Sequence, residues 1–372
     1  MLLKLNKKLK WLLPKLTSLV FLLFLYACEQ EDASNKQPDK VQKSYPHELI
    51  DDFDNGIIAF WNVDNLFDTI NKPSKDDKDF TPDGKNKWNS KRYENKLKQL
   101  ALVFNQLTNE APLMFGLAEV ENRNVILDLL NLTEFKTSYR ISHFPSGDPR
   151  GISVALCFDT GRFHKITDRA IPVIYKNQNQ NKSQTREILY VKGLLKDSIP
   201  LHVYVNHWRS RSGGVEATQN KRIQAAKVLR KHIDSIQKAD INPRIIVLGD
   251  FNDEPTNKSV YDVLGAKQPG SSKGNKPNLY NLSYNKGSNG FSGTYVYKDK
   301  WKMYDQIIVS SNLYYKGDAF YTSDYAEVFS DSSFMDMNNF KVFGPKPTFR
   351  RGEYIGGPSD HLLTYIRLYS TN

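Results

Sequence analysis

Residues 244–255 read Arg-Ile-Ile-Val-Leu-Gly-Asp-Phe-Asn-Asp-Glu-Pro, an apolar run that stops abruptly at a carboxylate. The four aliphatic residues at 245–248 predict a strand buried on both faces. Burial accounts for them but not for Asp250 and Asn252, which lie two apart and so point to the same side of an extended exit. That pairs a proton acceptor, able to orient water, with a neutral hydrogen-bond donor, able to hold an oxyanion. In isolation Asp-Phe-Asn would read as a turn, because Asp and Asn are favoured turn residues.

The same break recurs along the chain. Asn62 follows the apolar run 57–61, Glu119 follows 113–118, and His207 closes the run that begins at 201. Further runs at 152–158 and 306–309 predict additional strands. In layered α/β folds the carboxyl ends of strands gather around one crevice, so these polar exits predict a single site. Near the C-terminus, Gly-Gly-Pro-Ser-Asp-His at 356–361 precedes another predicted strand at 362–368, which makes His361 a candidate proton donor or electrophile. Asp305, at the start of the 306–309 run, could hold the His361 ring in its working tautomer.

Between the strands, Tyr93, Leu97, Leu100, Ala101, Phe104 and Leu107 recur at helical spacing, as do Ile223, Ala226, Leu229, Ile233 and Ile236. Polar segments rich in Gly, Asn, Ser and Lys at 176–186 and 265–290 predict long loops. The pattern predicts one α/β domain of layered sheets with outer helices.

With 372 residues, 39% hydrophobic and 12% aromatic, the chain is neither disordered nor collagen-like nor a polytopic membrane protein. Its two cysteines can supply neither a disulfide framework nor a cysteine-based zinc site, and Cys157, inside an apolar run, reads as a buried thiol. Five lysines precede an apolar stretch that ends at Leu-Tyr-Ala-Cys, residues 25–28. As a helix, about 12 apolar residues span ~18 Å, short of the ~30 Å bilayer core but suited to an export signal. Cys28 in that context is a candidate lipidation site. The expected organisation is a signal at 1–27, a polar tether at 28–48 and a domain at 49–372. Losing the signal lowers the formal charge from +11 to +6, a bias that fits an anionic substrate without requiring one.

Taken in order, the stretches FWNVDNLFD, LAEVEN, YVNHW, GDFNDEP, YDQIIV and PSDH resemble the endonuclease/exonuclease/phosphatase superfamily across about residues 56–367. The resemblance implies a four-layer α/β sandwich, two packed, mainly antiparallel sheets flanked by helices, with a metal-dependent phosphoester hydrolase site. It implies metal-site roles for Asn62, Asp64, Glu119 and Asp360. Their oxygens suit a hard divalent ion, Mg²⁺ first, with Mn²⁺ or Ca²⁺ as alternatives. By the same resemblance Asp250 activates water, Asn252 donates to a phosphoryl oxygen, His361 oriented by Asp305 stabilises or protonates the phosphoryl group, and His207 contacts phosphate.

Arg150, Arg209 and Arg211 carry guanidinium forks suited to phosphate, and Arg222 near a helix start could face the same mouth. The Pro-Asp-Gly turn within 79–88 is similar to an element of secreted bacterial members. The resemblance favours a nuclease-like branch, hence nucleic acid as substrate, with the lipid anchor tying the chain to the bacterial outer membrane or cell surface and no protein partner. The alternatives are a phosphatase or a phospholipid or sphingomyelin phosphodiesterase, and a binding lipoprotein without catalysis.

Overall fold

The computed structural model describes residues 53–107, 111–135, 138–176, 182–271, 279–284, 293–316, 319–337 and 342–371. The expected signal, Cys28 and the tether lie outside them. Strand β1 (Phe53–Leu66) shows how the sequence builds the layers. Ile58 and Phe60 enter one core, while Ile57, Ala59 and Trp61 enter another, which is the two-residue period of a strand covered on both faces. Strand β8 (Ile245–Asp250) does the same: Ile246 and Leu248 join the first core, Ile245 and Val247 a third.

The first sheet comprises β1, β2 (Met114–Val120), β3 (Tyr139–His143), β4 (Ser153–Asp159), β14 (Phe320–Thr322), β15 (Glu327–Val328) and β20 (Thr364–Ser370). Its order is β14-β20-β1-β2-β4-β3, with β15 also paired to β20. The second comprises β5 (Phe163–Lys176), β6 (Lys182–Leu195), β7 (Ile199–His207), β8, β9 (Ala266–Lys267), β10 (Leu279–Asn281) and β13 (Asp305–Ser310), ordered β5-β6-β7-β8-β13-β10-β9. Pairing is mainly antiparallel; β1 with β2, β7 with β8 and β9 with β10 are parallel. Three hairpins stand apart: β11 (Tyr295–Tyr297) with β12 (Lys300–Lys302), β16 (Met335–Met337) with β17 (Phe343–Pro345), and β18 (Phe349–Arg350) with β19 (Glu353–Tyr354).

Helices α1 (Ser90–Leu107) and α2 (Arg123–Leu132) cover the first sheet, and α3 (Val215–Ala239) covers the second. Phe104 of α1 meets Trp61 edge-on with ring centroids 5.7 Å apart. The start of α2 is fixed by the Asn122 side chain, which accepts from the backbone N–H groups of Asn124 and Val125. The result is the four-layer α/β sandwich. Between the sheets, a Cβ on Gly116 would lie 3.0 Å from Phe60, 3.1 Å from Val205 and 3.3 Å from Leu248, so the missing side chain lets the layers pack closely there.

Two loop expectations are corrected. Strand β5 runs to Lys176 and β6 begins at Lys182, so most of the polar stretch 176–186 is strand. Backbone pairing asks nothing apolar of residues at the outer end of a hairpin. Within 265–290, β9, β10 and a single 3₁₀ turn (Leu282–Tyr284) are built in, because Leu279 and Tyr280 bury against the second sheet despite their polar flanks. Among the described residues, no helix is long and apolar enough to cross a membrane. Cys157 is a buried free thiol, as expected.

His202 on β7 is buried and shares a 2.8 Å hydrogen bond between Nδ1 and the Tyr190 hydroxyl. Burial pushes its pKa down to about 4, so the unfolded chain takes up this proton first and stability falls as pH drops from 6.5 toward 4. We expect His202→Gln to lose less of its melting temperature between pH 7 and pH 5 than the parent does, measured by circular dichroism; an equal loss would assign the acid sensitivity elsewhere.

Candidate active site

Register brings the polar residues together. In the second sheet Asp250 on β8 pairs with His207 on β7 at one side and with Asp305 on β13 at the other, so three chemically active side chains share one level. In the first sheet the parallel partners β1 and β2 run Asn62 opposite Ala118, which leaves Glu119 at the same end. Strand β20 runs antiparallel to β1, with Thr364 opposite Phe60, and this places Asp360 and His361 beside the exit of β1. The Trp61 indole N–H donates to the His361 carbonyl at 2.9 Å, and the Ser359 hydroxyl donates to the Asn62 carbonyl at 2.6 Å. Four residues at this end have positive φ: Asp64 (50°), Asn65 (59°), Glu119 (65°) and Asn252 (49°). Such left-handed backbone costs free energy in non-glycine residues and gathers where a site must aim its side chains.

Asp250 is held by donors on all sides. Its Oδ1 accepts from the Asn252 N–H at 2.8 Å, and its Oδ2 accepts from the Asn62 and Asn252 amides, each at 3.1 Å. Burial, reinforced by the neighbouring Asp305 charge, raises its proton affinity against the pull of His361 and these hydrogen bonds. The Asn252 amide also donates to the Trp208 carbonyl at 3.1 Å, so its hydrogens are occupied by protein acceptors in this state.

His361 Nδ1 and Asp305 Oδ2 are 2.6 Å apart, and the Thr294 hydroxyl donates to the same carboxylate oxygen at 2.5 Å. Burial opposes charge on the ring, but Asp305, with Asp360 and Asp250, overcomes it and holds the His361 pKa well above the usual imidazole range. Its Nε2 faces Asp360 Oδ1 at 3.9 Å. His207 is the opposite case: burial, with Arg186 and Arg150 nearby, pushes its pKa far down, so it is neutral. Its Nε2 lies 3.6 Å from both Glu119 Oε1 and Asp250 Oδ2, and its Nδ1 is buried with no partner among the described residues.

Carboxylate oxygens able to hold a cation gather at the first sheet. Burial and then the Asp64 charge, with Glu119 adding, raise the proton affinity of Asp360, which is the signature of carboxylates facing one another. The Asp360 side chain keeps 40% of its surface, so water in the crevice moderates this rise. Glu119 Oε2 accepts the Asn65 N–H at 3.0 Å and Asp64 Oδ2 accepts the Thr348 N–H at 2.9 Å, which fixes both carboxylates. These oxygens fit a hard divalent ion. Asp250, Asp305 and His361 also bring ligand atoms within 4.8 Å of one another. There, however, His361 and Asp305 are bonded to each other and Asp305 holds the ring's pKa well above the usual range, which opposes a second cation on its nitrogens.

The expected arginines divide. Arg150 sits at the rim, its side chain 40% exposed, contacting Asp148 and donating to Asn65 Oδ1 at 3.4 Å. Arg209 has a buried Nε with no partner among the described residues. Arg211 instead binds inward: its Nε donates to the Asn252 carbonyl at 2.7 Å and its Nη2 to Asp253 and Asn257, each at 2.6 Å. Arg222 does not face the mouth; it is fully buried, with Nε 2.9 Å from Asp253 Oδ2. Both therefore hold the loop after β8.

Sequence reasoning missed three residues. Buried Arg186 donates to Asp148 at 3.0 Å and to the Trp208 carbonyl at 2.9 Å, and nothing in the polar stretch around it signals this. Tyr295 packs its ring 4.7 Å from that of His361. Lys96, a lysine on the inner face of α1 and 1% exposed, donates to the Asp64 carbonyl at 3.0 Å, the Pro358 carbonyl at 2.7 Å and the Thr348 hydroxyl. Burial lowers its pKa to about 8, against Asp64, Asp360 and Glu119. A lysine interrupting an apolar stripe was the available signal.

The fold and this arrangement define a hydrolase whose crevice combines a carboxylate cluster with an Asp–His pair. The Endonuclease/Exonuclease/phosphatase family model matches residues 57–370, and the chain belongs to that family, whose enzymes depend on divalent metals. A solved endonuclease/exonuclease/phosphatase family protein from Bacteroides thetaiotaomicron is 16% identical, with a TM-score of 0.52 over 85% of this chain and 98% of that one. The mannosyl-6-phosphatase of the same organism is 17% identical, with a TM-score of 0.53 over 84% and 98%. Truncated TDP2 of Caenorhabditis elegans is 14% identical, with a TM-score of 0.51 over 85% and 97%. No curated protein sequence matches the chain.

Replacing Lys96 with Met leaves the Asp64 and Pro358 carbonyls without their donor. The expected cost is about 1–3 kcal/mol of stability, read from urea unfolding; an unchanged midpoint would mean that this ammonium does not bind the loops together.

Proposed function

We propose that the protein is a divalent-metal-dependent phosphodiesterase that cleaves nucleic acid outside the cell, held at the bacterial surface by lipid on Cys28. The observation that carries the chemistry is the shared level of His207, Asp250 and Asp305 opposite the Asp64, Glu119 and Asp360 carboxylates. Asn62, Asp64, Glu119 and Asp360 would hold the ion, Mg²⁺ first and Mn²⁺ or Ca²⁺ as alternatives. Bound there, it offsets the negative charge of the phosphoester and polarises a phosphoryl oxygen.

Asp250, with its raised proton affinity, takes a proton from the attacking water. The new bond forms from the water oxygen to phosphorus while the bond to the leaving oxygen breaks, and charged His361 donates to the phosphoryl group or to that leaving oxygen. Asp305 and Thr294 keep the ring oriented throughout. Neutral His207 would supply a donor without placing another full charge inside the crevice, and Arg150 would add its guanidinium at the rim.

A second reading, hydrolysis of small phosphate monoesters, is favoured by one observation. Arg211 and Arg222 are bonded to Asp253 instead of lining a basic groove.

Asp250→Asn and His361→Ala should each lower kcat by about 10²–10⁴, and EDTA should abolish turnover. The deciding assay offers plasmid DNA, RNA, sphingomyelin, inositol phosphates and sugar phosphates with Mg²⁺. Cleavage of DNA or RNA is expected, and activity confined to the lipid or monoesters would overturn the nuclease reading. Cys28→Ser should move the protein from the membrane to the soluble fraction, unless the anchor is something other than lipid on that thiol.

A further inference from the structure

A cleft of about 250 Å³ opens beside the proposed ion site, ending on Asp360 and on Tyr295, whose ring packs against His361. Its walls are two of the small hairpins. In β11–β12 the two-residue tip is Lys298 and Asp299, with φ of 47° and 62°; in β18–β19 it is Arg351 and Gly352, with φ of 53° and 85°. Two consecutive positive φ values make both tips tight turns whose twist matches their strands. Lys298 and Arg351 both line the cleft.

Tyr295, Phe349, Pro345 and Pro347 supply the rings and the apolar share of the lining. Both aromatic rings pack against neighbouring rings. Tyr304 stacks on Tyr295 at 5.8 Å and carries the Arg211 guanidinium at 5.1 Å on its own ring. Phe349 contacts Trp88 at 5.9 Å and Tyr354 at 5.5 Å. Of the two arginines that line the cleft, Arg350 is paired with Asp336.

We propose that this cleft is a subsite for one nucleotide unit flanking the scissile phosphate, its planar base lying on the aromatic and proline wall and its second phosphate reaching Lys298 and Arg351. The proposal rests on the phosphodiesterase reading above and adds the specificity element to that site. A volume at the small end for ligand pockets suits a single unit and not a length of strand. Base stacking on aromatic rings tolerates any base, so the subsite selects for a ring and a second anion without reading sequence. Attachment to the ion site through Asp360 and to the proton-handling pair through Tyr295 sets the distance between that unit and the bond that breaks.

The test compares KM for three p-nitrophenyl esters hydrolysed by the full chain with Mg²⁺: thymidine 5′-phosphate, the same ester carrying an added 3′-phosphate, and a base-free deoxyribose version with both phosphates. The added phosphate should lower KM about tenfold, and removal of the base should raise it by a similar factor. In the double variant Lys298→Asn, Arg351→Asn the benefit of the added phosphate should vanish. Asn is chosen because it accepts positive φ, so the cations are removed while the turns persist. Equal KM for the two thymidine esters, or a preference that survives in the variant, would overturn the phosphate half of the subsite and leave the phosphodiesterase reading standing. A base-free ester bound as well as its thymidine counterpart would overturn the stacking half. If the parent hydrolyses none of the three, the phosphodiesterase reading falls and takes the subsite with it.

Discussion

Five carboxylates, Asp64, Glu119, Asp250, Asp305 and Asp360, meet at one end of the sandwich, and like charges removed from water repel. Everything else at that end answers this constraint. Lys96 offers an ammonium from below, His361 takes charge against Asp305, and Arg186 adds a buried guanidinium behind His207. Asp250 is offset by amide and backbone donors rather than by a cation of its own. Lys96 and His361 offset only part of the charge at Asp360, and an ion with two charges would relieve the rest most directly.

The two sheets divide the work. The second carries the proton-handling groups on three adjacent strands, fixed by backbone register, so their separation cannot drift without breaking ladders. The first carries the oxygen donors on strand exits bent by positive φ at Asp64 and Glu119. Hydrophobic packing between the sheets, centred where Gly116 lets Phe60, Val205 and Leu248 approach, holds the two halves face to face. The spacing of these groups is thus a property of the core, which the hairpins around 295–302 and 349–354 leave undisturbed.

Much of this was legible in the sequence because strand exits are conspicuous. An apolar run has one reason to end in Asp250, Glu119 or Asn62 when the next residue is again compatible with burial, and six such stretches in order carried the family resemblance. The supporting groups were less visible. Arg186 sits in a polar stretch that continues a hairpin, and paired backbone leaves no hydrophobic signal there. Tyr295 reaches His361 by a single isolated bridge across 66 residues of chain, a contact without local pattern. Arg211 and Arg222 looked available because sequence shows the guanidinium but not Asp253, the partner that takes both.

On the proposed reading the carboxylates of the first sheet, and not the Asp305–His361 pair, hold the ion. A crystal structure of the Mn²⁺-soaked protein, with anomalous scattering recorded at the manganese edge, distinguishes the two. The expected peak is coordinated by Glu119 and Asp360, with His361 still bonded to Asp305. A peak on His361 and Asp305, or no peak at saturating Mn²⁺, would contradict it.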